Sequence, residues 1–195
     1  MTELHNLEDQ EKANRAKKMM LWFGIISLIM SFGAFTSAYI VSRKRDDWLD
    51  NYELPSAFYI STIIIICSSI TIFLALRNIK SEKRKVGMLW LIITFLLGVT
   101  FGILQIQGFS QIIEDFGYNF TGPTSNITFT YIFLIAAVHL AHIAAALLVL
   151  LVVIYNHYKQ KYYKGQTLGI ELAATFWHFV DILWIYLFLF LYFVR

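Results

Sequence analysis

The sequence predicts an all-α polytopic membrane protein, a single bundle of five transmembrane helices with the N-terminus inside and the C-terminus outside. Three observations predict it. Five apolar segments lie at roughly residues 19–41, 54–76, 86–107, 128–155 and 169–194, each longer than the about 20 residues that cross about 30 Å of hydrocarbon. Period-two alternation is absent and turn signals lie only between the segments, so helices are favoured over barrel strands. Lys and Arg are also unevenly divided between the connecting stretches, which sets the orientation. A composition of 58% hydrophobic and 15% charged residues in 195 residues agrees with this class and is too small for two large domains.

Residues 1–18 read as a polar tail and residues 19–195 as one membrane domain. The tail lacks the apolar core and small-residue cleavage site of a signal peptide. It carries Lys12, Arg15, Lys17 and Lys18. The second loop carries Arg77, Lys80, Lys83, Arg84 and Lys85, and the fourth Lys159, Lys161 and Lys164. The opposite side holds Arg43, Lys44, Arg45 and Arg195, so twelve basic residues face four. The side richer in Lys and Arg is the inner one. The first loop is the weakest part of this count, because its basic residues flank a helix end; Asp46, Asp47, Asp50 and Glu53 offset them.

The second segment opens with Pro55, which fits a first helical turn. Cys67 is the single cysteine, so no disulfide forms within the chain; inside an apolar run it reads as a small buried hydrophobe. The third segment contains Gly98 and Gly102, a Gly-x-x-x-Gly face suited to close helix packing. Its following loop contains Pro123 and two glycosylation patterns, Asn119-Phe120-Thr121 and Asn126-Ile127-Thr128, read as coincidence. The basic inner loops fit topology and anionic headgroups better than nucleic acid, and Walker and dinucleotide-binding patterns are absent.

The fourth segment places His139 and His142 near its midpoint, among Ala136, Ala137, Ala141, Ala144, Ala145 and Ala146. The fifth reads Glu171-Leu-Ala-Ala-Thr-Phe-Trp177-His178-Phe-Val-Asp181-Ile-Leu-Trp184. A carboxylate at the bilayer centre costs about 2.5–3.5 kcal/mol on insertion scales, so Asp181 should face protein and have a partner. His178 and Asp181 are i and i+3 on one face, and so are His139 and His142. Trp177 and Trp184 stand two turns apart on nearly the same side. The fourth and fifth helices are therefore expected to pack with these groups facing protein, Asp181 bonding to His178, His142 or His139.

Three imidazoles and one carboxylate invite a metal reading, and His139 with His178 formally suit a haem. A second carboxylate at that depth, a His-x-x-x-His pair and a Cys-rich set are all missing. A hydrogen-bonded seam between two helices is the favoured reading, with specificity of packing as its main product.

The run Trp177-His178-Phe179-Val180-Asp181, with Glu171 before it and Trp184 after it, resembles the last helix of subunit III of the haem-copper respiratory oxidases. The resemblance extends to His139-x-x-His142, although Ala136-Ala137 replace a usual Thr-Gly. It includes Leu97-Gly98-x-x-Phe101-x-x-x-Gln105, with Gly108-Phe109 where Glu-Tyr often stands. Ser61-Thr62, Ser68-Ser69 and Phe32…Tyr39 are similar as well. Leu28 departs from the pattern, standing where relatives usually carry a membrane-embedded glutamate. The chain looks like the five-helix form, lacking the first two helices of long members.

The resemblance implies an accessory subunit of a proton-pumping terminal oxidase that reduces oxygen to water in aerobic electron transport, in a bacterial plasma or equivalent membrane. It implies that the catalytic subunit I carries the haems and copper, and that this chain binds neither. Stabilisation of subunit I, structural phospholipid binding, oxygen access and proton uptake are the implied roles. Glu171, His178, Asp181, His139, His142 and Gln105 would be polar positions in the membrane, and Trp177, Trp184, Gly98 and Gly102 packing positions; none would be catalytic or a metal ligand. Two alternatives stand beside it: a membrane metal- or haem-binding enzyme using His139, His142, His178 and Asp181, and a small transporter. The transporter would show broken helices and internal symmetry, which the sequence lacks.

Overall fold

A computed structural model describes residues 2–46, 48–49, 54–117, 126–162 and 167–194. Asp47, Asp50, Glu53, Asn119, Pro123, Lys164 and Arg195 lie outside the described residues. Among the described residues the structure is all helical: α1 (Thr2–Ser42), α2 (Ser56–Lys80), α3 (Arg84–Phe116), α4 (Ile127–Tyr158) and α5 (Leu168–Phe193). All five are long and apolar enough to cross a membrane.

The helix ends differ from the apolar segments for local reasons. α1 has 41 residues, about 60 Å at 1.5 Å per residue, because the polar tail continues the helix. Within it Arg15 pairs with Glu11, and Asp9 with His5 and Lys12, at i, i+3 and i, i+4 spacing. α3 runs past Gln107 to Phe116; Ile112 there is fully buried, and the helix stops at Gly117, whose φ of +66° is left-handed. Pro55 is the N-cap of α2, one position before its first turn. Asn126 caps α4, its side-chain oxygen accepting the Thr128 N–H at 2.8 Å. That gives the second glycosylation-like triplet a structural role.

α2 and α3 form a hairpin through Ser81–Lys83, in which Glu82 adopts a left-handed φ of 61°. α5 occupies the centre, packing on α1, α2 and α4, while among the described residues α1 meets α4 and α5 along its backbone. The core has two parts. One surrounds Tyr39, Trp48, Phe58, Phe129 and Trp184; the other surrounds Ile72, Leu91, Ala146, Ala173 and Trp177. The two indoles of α5 therefore serve different halves of the bundle. Cys67 corrects the expectation of burial: it is exposed, because buried Ser61, Ile65, Ser68 and Ile72 take the inward face of α2 and Cys67 falls on the other side.

Candidate functional site: the polar seam between α2 and α5

The seam begins with four hydroxyls on α2. Ser61 Oγ and Thr62 Oγ1 donate to the Phe58 carbonyl, at 3.0 and 2.7 Å, and Ser68 Oγ donates to the Ile65 carbonyl at 2.8 Å. Their protons thus stay inside the helix, as hydroxyls in apolar surroundings commonly do, and their lone pairs remain for neighbours. α5 uses them. The Trp184 indole donates to Thr62 Oγ1 at 3.0 Å, and the Trp177 indole to Ser68 Oγ at 3.1 Å. His178 Nδ1 lies 2.6 Å from Ser69 Oγ. A fourth contact ties α3 to α2, the Gln105 amide donating to Ser61 Oγ at 2.8 Å.

Asp181 is buried in this seam, and its neighbours are Ser68 and Ser69. The Ser68 contact to Oδ2 is long, 3.5 Å, because the Ser68 proton has a nearer acceptor in the Ile65 carbonyl. Asp181 Oδ1 has no hydrogen-bond partner among the described residues. The expectation that Asp181 bonds to a histidine is corrected. The α5 pair turns toward α2, where small hydroxyl residues offer polar atoms and room, rather than toward the α4 histidines.

The α4 pair is divided. His139 is fully buried, and neither ring nitrogen has a partner among the described residues. Its ring lies 5.2 Å from Trp184 and meets the edges of Phe32 and Phe101. His142 is half-buried and donates from Nδ1 to the Val138 carbonyl at 2.7 Å. Among the described residues no group of three or more His, Cys, Asp and Glu is placed to hold a metal ion.

The remaining predicted residues sit at the margins of the seam. Glu171 lies in the first turn of α5, where Lys80 Nζ and Thr167 Oγ1 each reach its Oε1 at 2.9 Å; it marks the end of the span. Gly98 faces Trp177: a β-carbon there would lie 2.6 Å from Cη2 of the indole. Gly102 is less crowded, its nearest neighbour being Leu140 Cδ1 at 3.9 Å. The two glycines of the Gly-x-x-x-Gly face thus do unequal work.

The sequence reading noted Ser61, Thr62, Ser68 and Ser69 only as likenesses. The signal for their role was their spacing: 61 with 68 and 62 with 69 are each i, i+7, the same interval as Trp177 and Trp184. It also missed a clasp between α3 and α4. Arg84 Nη2 donates to the His157 carbonyl at 3.2 Å and His157 Nε2 returns a bond to the Arg84 carbonyl at 3.1 Å. Tyr162 stacks on His157, and burial pushes its phenol above the ordinary range.

A sequence profile of the family described as cytochrome c oxidase subunit III matches residues 47–195. The cytochrome bo(3) ubiquinol oxidase subunit 3 of Buchnera aphidicola subsp. Acyrthosiphon pisum is 28% identical over 192 residues, covering 96% of this chain and 91% of that protein. The probable quinol oxidase subunit 3 of Staphylococcus aureus is 23% identical over 189 residues, covering 94% and 92%. With the five membrane-length helices, these matches mean that the chain belongs to the cytochrome c oxidase subunit III family, as an integral accessory subunit of a haem-copper terminal oxidase, associated with other oxidase subunits in an energy-conserving membrane.

Proposed function

We propose that the chain supports the catalytic subunit I, which would hold the haems and copper, and that it does so by packing. The observation that carries this reading is that three polar side chains of α5 are engaged in helix-to-helix bonds. Trp177, His178 and Trp184 each bond to an α2 hydroxyl, so the ionisable part of the bundle is built as a joint. Lipid binding belongs to the same reading: an apolar groove of about 460 Å³ between α1 and α5, lined by Ile29, Phe32, Phe179 and Tyr186, suits an acyl chain. Leu28, half-buried and packed on the core, supplies no carboxylate there, so any contribution to oxygen access or proton uptake comes from other positions.

The positions Glu171, His178, Asp181, His139, His142 and Gln105 are proposed to shape the bundle and its contacts with the complex, with Trp177, Trp184, Gly98 and Gly102 as packing partners. The N-terminus is proposed to lie inside, on the distribution of Lys and Arg. Quinol is the proposed reductant of the complex, since two relatives are named as quinol oxidase subunits.

Purification of the intact oxidase carrying Asp181→Leu tests the central reading. The expected result is at least several-fold less of this chain retained, with the haem spectrum of the remaining complex unchanged. Loss of the haem bands in proportion to this chain would overturn a supporting role. Turnover with a quinol against turnover with reduced cytochrome c decides the reductant.

A further inference from the structure

At the end of the bundle where α5 begins lies a cavity of about 390 Å³, between the polar part of α1 and the connection from α4 to α5. α1 lends it Gln10, Asn14 and Lys17, which at i, i+4 and i+7 share one face. Lys161 enters from beyond the end of α4, and Leu168 and Leu172 of α5 supply an apolar side. The wall between them is fixed. Tyr162 stacks on His157, and its hydroxyl lies 2.8 Å from the place a β-carbon on Gly169 would take. A cavity of this size suits a small organic ligand.

Its charge is one-sided. Lys17 and Lys161 have no ion-pair partner among the described residues, and no described carboxylate lines the cavity. The acids of the elements around it are engaged elsewhere: Glu171 with Lys80 and Thr167, Asp9 with His5 and Lys12, and Glu11 with Arg15. Two ammonium side chains sharing one space repel each other, and an anion between them offsets that cost. The amides of Gln10 and Asn14 add neutral donors. Several donors around one space match the several oxygens of a phosphate better than the two of a carboxylate. Lys17 stands two residues before Met19, where the apolar segment begins, the depth at which anionic headgroups meet basic side chains.

We propose that this cavity binds a phosphate ester, its phosphate between Lys17 and Lys161 and its organic part against Leu168 and Leu172. Two sources share that chemistry, an anionic phospholipid headgroup and a soluble phosphate. The apolar side and the position at the membrane surface favour the headgroup. The site is separate from the apolar groove between α1 and α5: Ile29 of that groove is twelve residues from Lys17, about 18 Å along the helix. It is also independent of the joint between α2 and α5, so neither the groove nor the joint stands or falls with it.

The intact oxidase is compared as the parent, as Lys17→Gln with Lys161→Gln, as Lys17→Arg with Lys161→Arg, and as Lys83→Gln with Lys85→Gln, which removes the same charge from the loop between α2 and α3. All four lysines are exposed, so the fold is left alone. One arm reconstitutes the complex in phosphatidylcholine vesicles containing a photoactivatable phosphatidylglycerol and maps its adducts on this chain. The other measures binding of radiolabelled inorganic phosphate to the complex in detergent. The expected result is adducts at residues 10–17 or 161–172, reduced at least about fivefold by the Gln pair at 17 and 161, and kept by the Arg pair and by the pair at 83 and 85. The same pattern in the phosphate arm alone assigns the site to a soluble phosphate. Binding in neither arm, adducts only elsewhere, or equal losses from the two Gln pairs would each overturn the site.

Discussion

Trp177 of α5 fills the space that a β-carbon on Gly98 of α3 would need: the indole Cη2 lies 2.6 Å from that position, and Leu147 Cδ2 is 3.0 Å from it. The ring is buried and anchored at its other end by the bond to Ser68, so it has little freedom to withdraw. Gly98→Ala is expected to destabilise the bundle by about 1–3 kcal/mol through overpacking. Gly102→Ala, with ordinary contact at 3.9 Å, should be near neutral. Unfolding of both variants in graded detergent mixtures measures the difference; equal effects would remove the distinction.

Ser68→Ala takes the acceptor from the Trp177 indole and a polar neighbour from Asp181. Hydrogen bonds between membrane helices average about 0.6 kcal/mol and reach about 1.7, while an orphaned buried donor costs about 1–3 kcal/mol. The expected loss is about 1–2 kcal/mol. A cycle with Trp177→Phe should show coupling of about 0.6–1.7 kcal/mol; additive losses would show that the bond contributes nothing of its own.

His139→Phe is expected to change stability by less than about 1 kcal/mol in either direction, because the ring packs as an aromatic and neither nitrogen bonds to a described residue. Haem content and turnover of the purified complex should stay as in the parent. A Soret band lost from this chain's complex on that substitution would return His139 to the list of ligands.

Asn126→Ala should cost about 1 kcal/mol through the lost N-cap, and Asn126→Asp or Asn126→Ser should restore most of it. The readout is amide hydrogen exchange at the start of α4. Restoration by neither substitution would mean that the Thr128 N–H finds another partner.

The number of spans was legible in the sequence because length and apolarity alone decide what crosses a bilayer. The polar groups of α5 stood out as well, since an acid in such a segment is costly. Their partners were not legible. Spacing within a helix tells which side chains share a face, as for His178 and Asp181, but not which neighbour that face meets. The α4 histidines were the more conspicuous candidates, and the less conspicuous hydroxyls of α2 proved to be the neighbours. The end of α3 was misread for a related reason: hydropathy falls at Gln107, whereas the backbone stays helical until Gly117 permits a left-handed stop.

Because α5 is the element that α1, α2 and α4 all meet, the order of synthesis matters. The ribosome delivers the other four helices first, and during that interval α1 has only α4 as a backbone neighbour while the hydroxyl row of α2 waits without its indoles. Closure of the bundle therefore belongs to the final insertion event, and a chain stalled before Leu168 would offer quality-control proteases a set of loosely held helices.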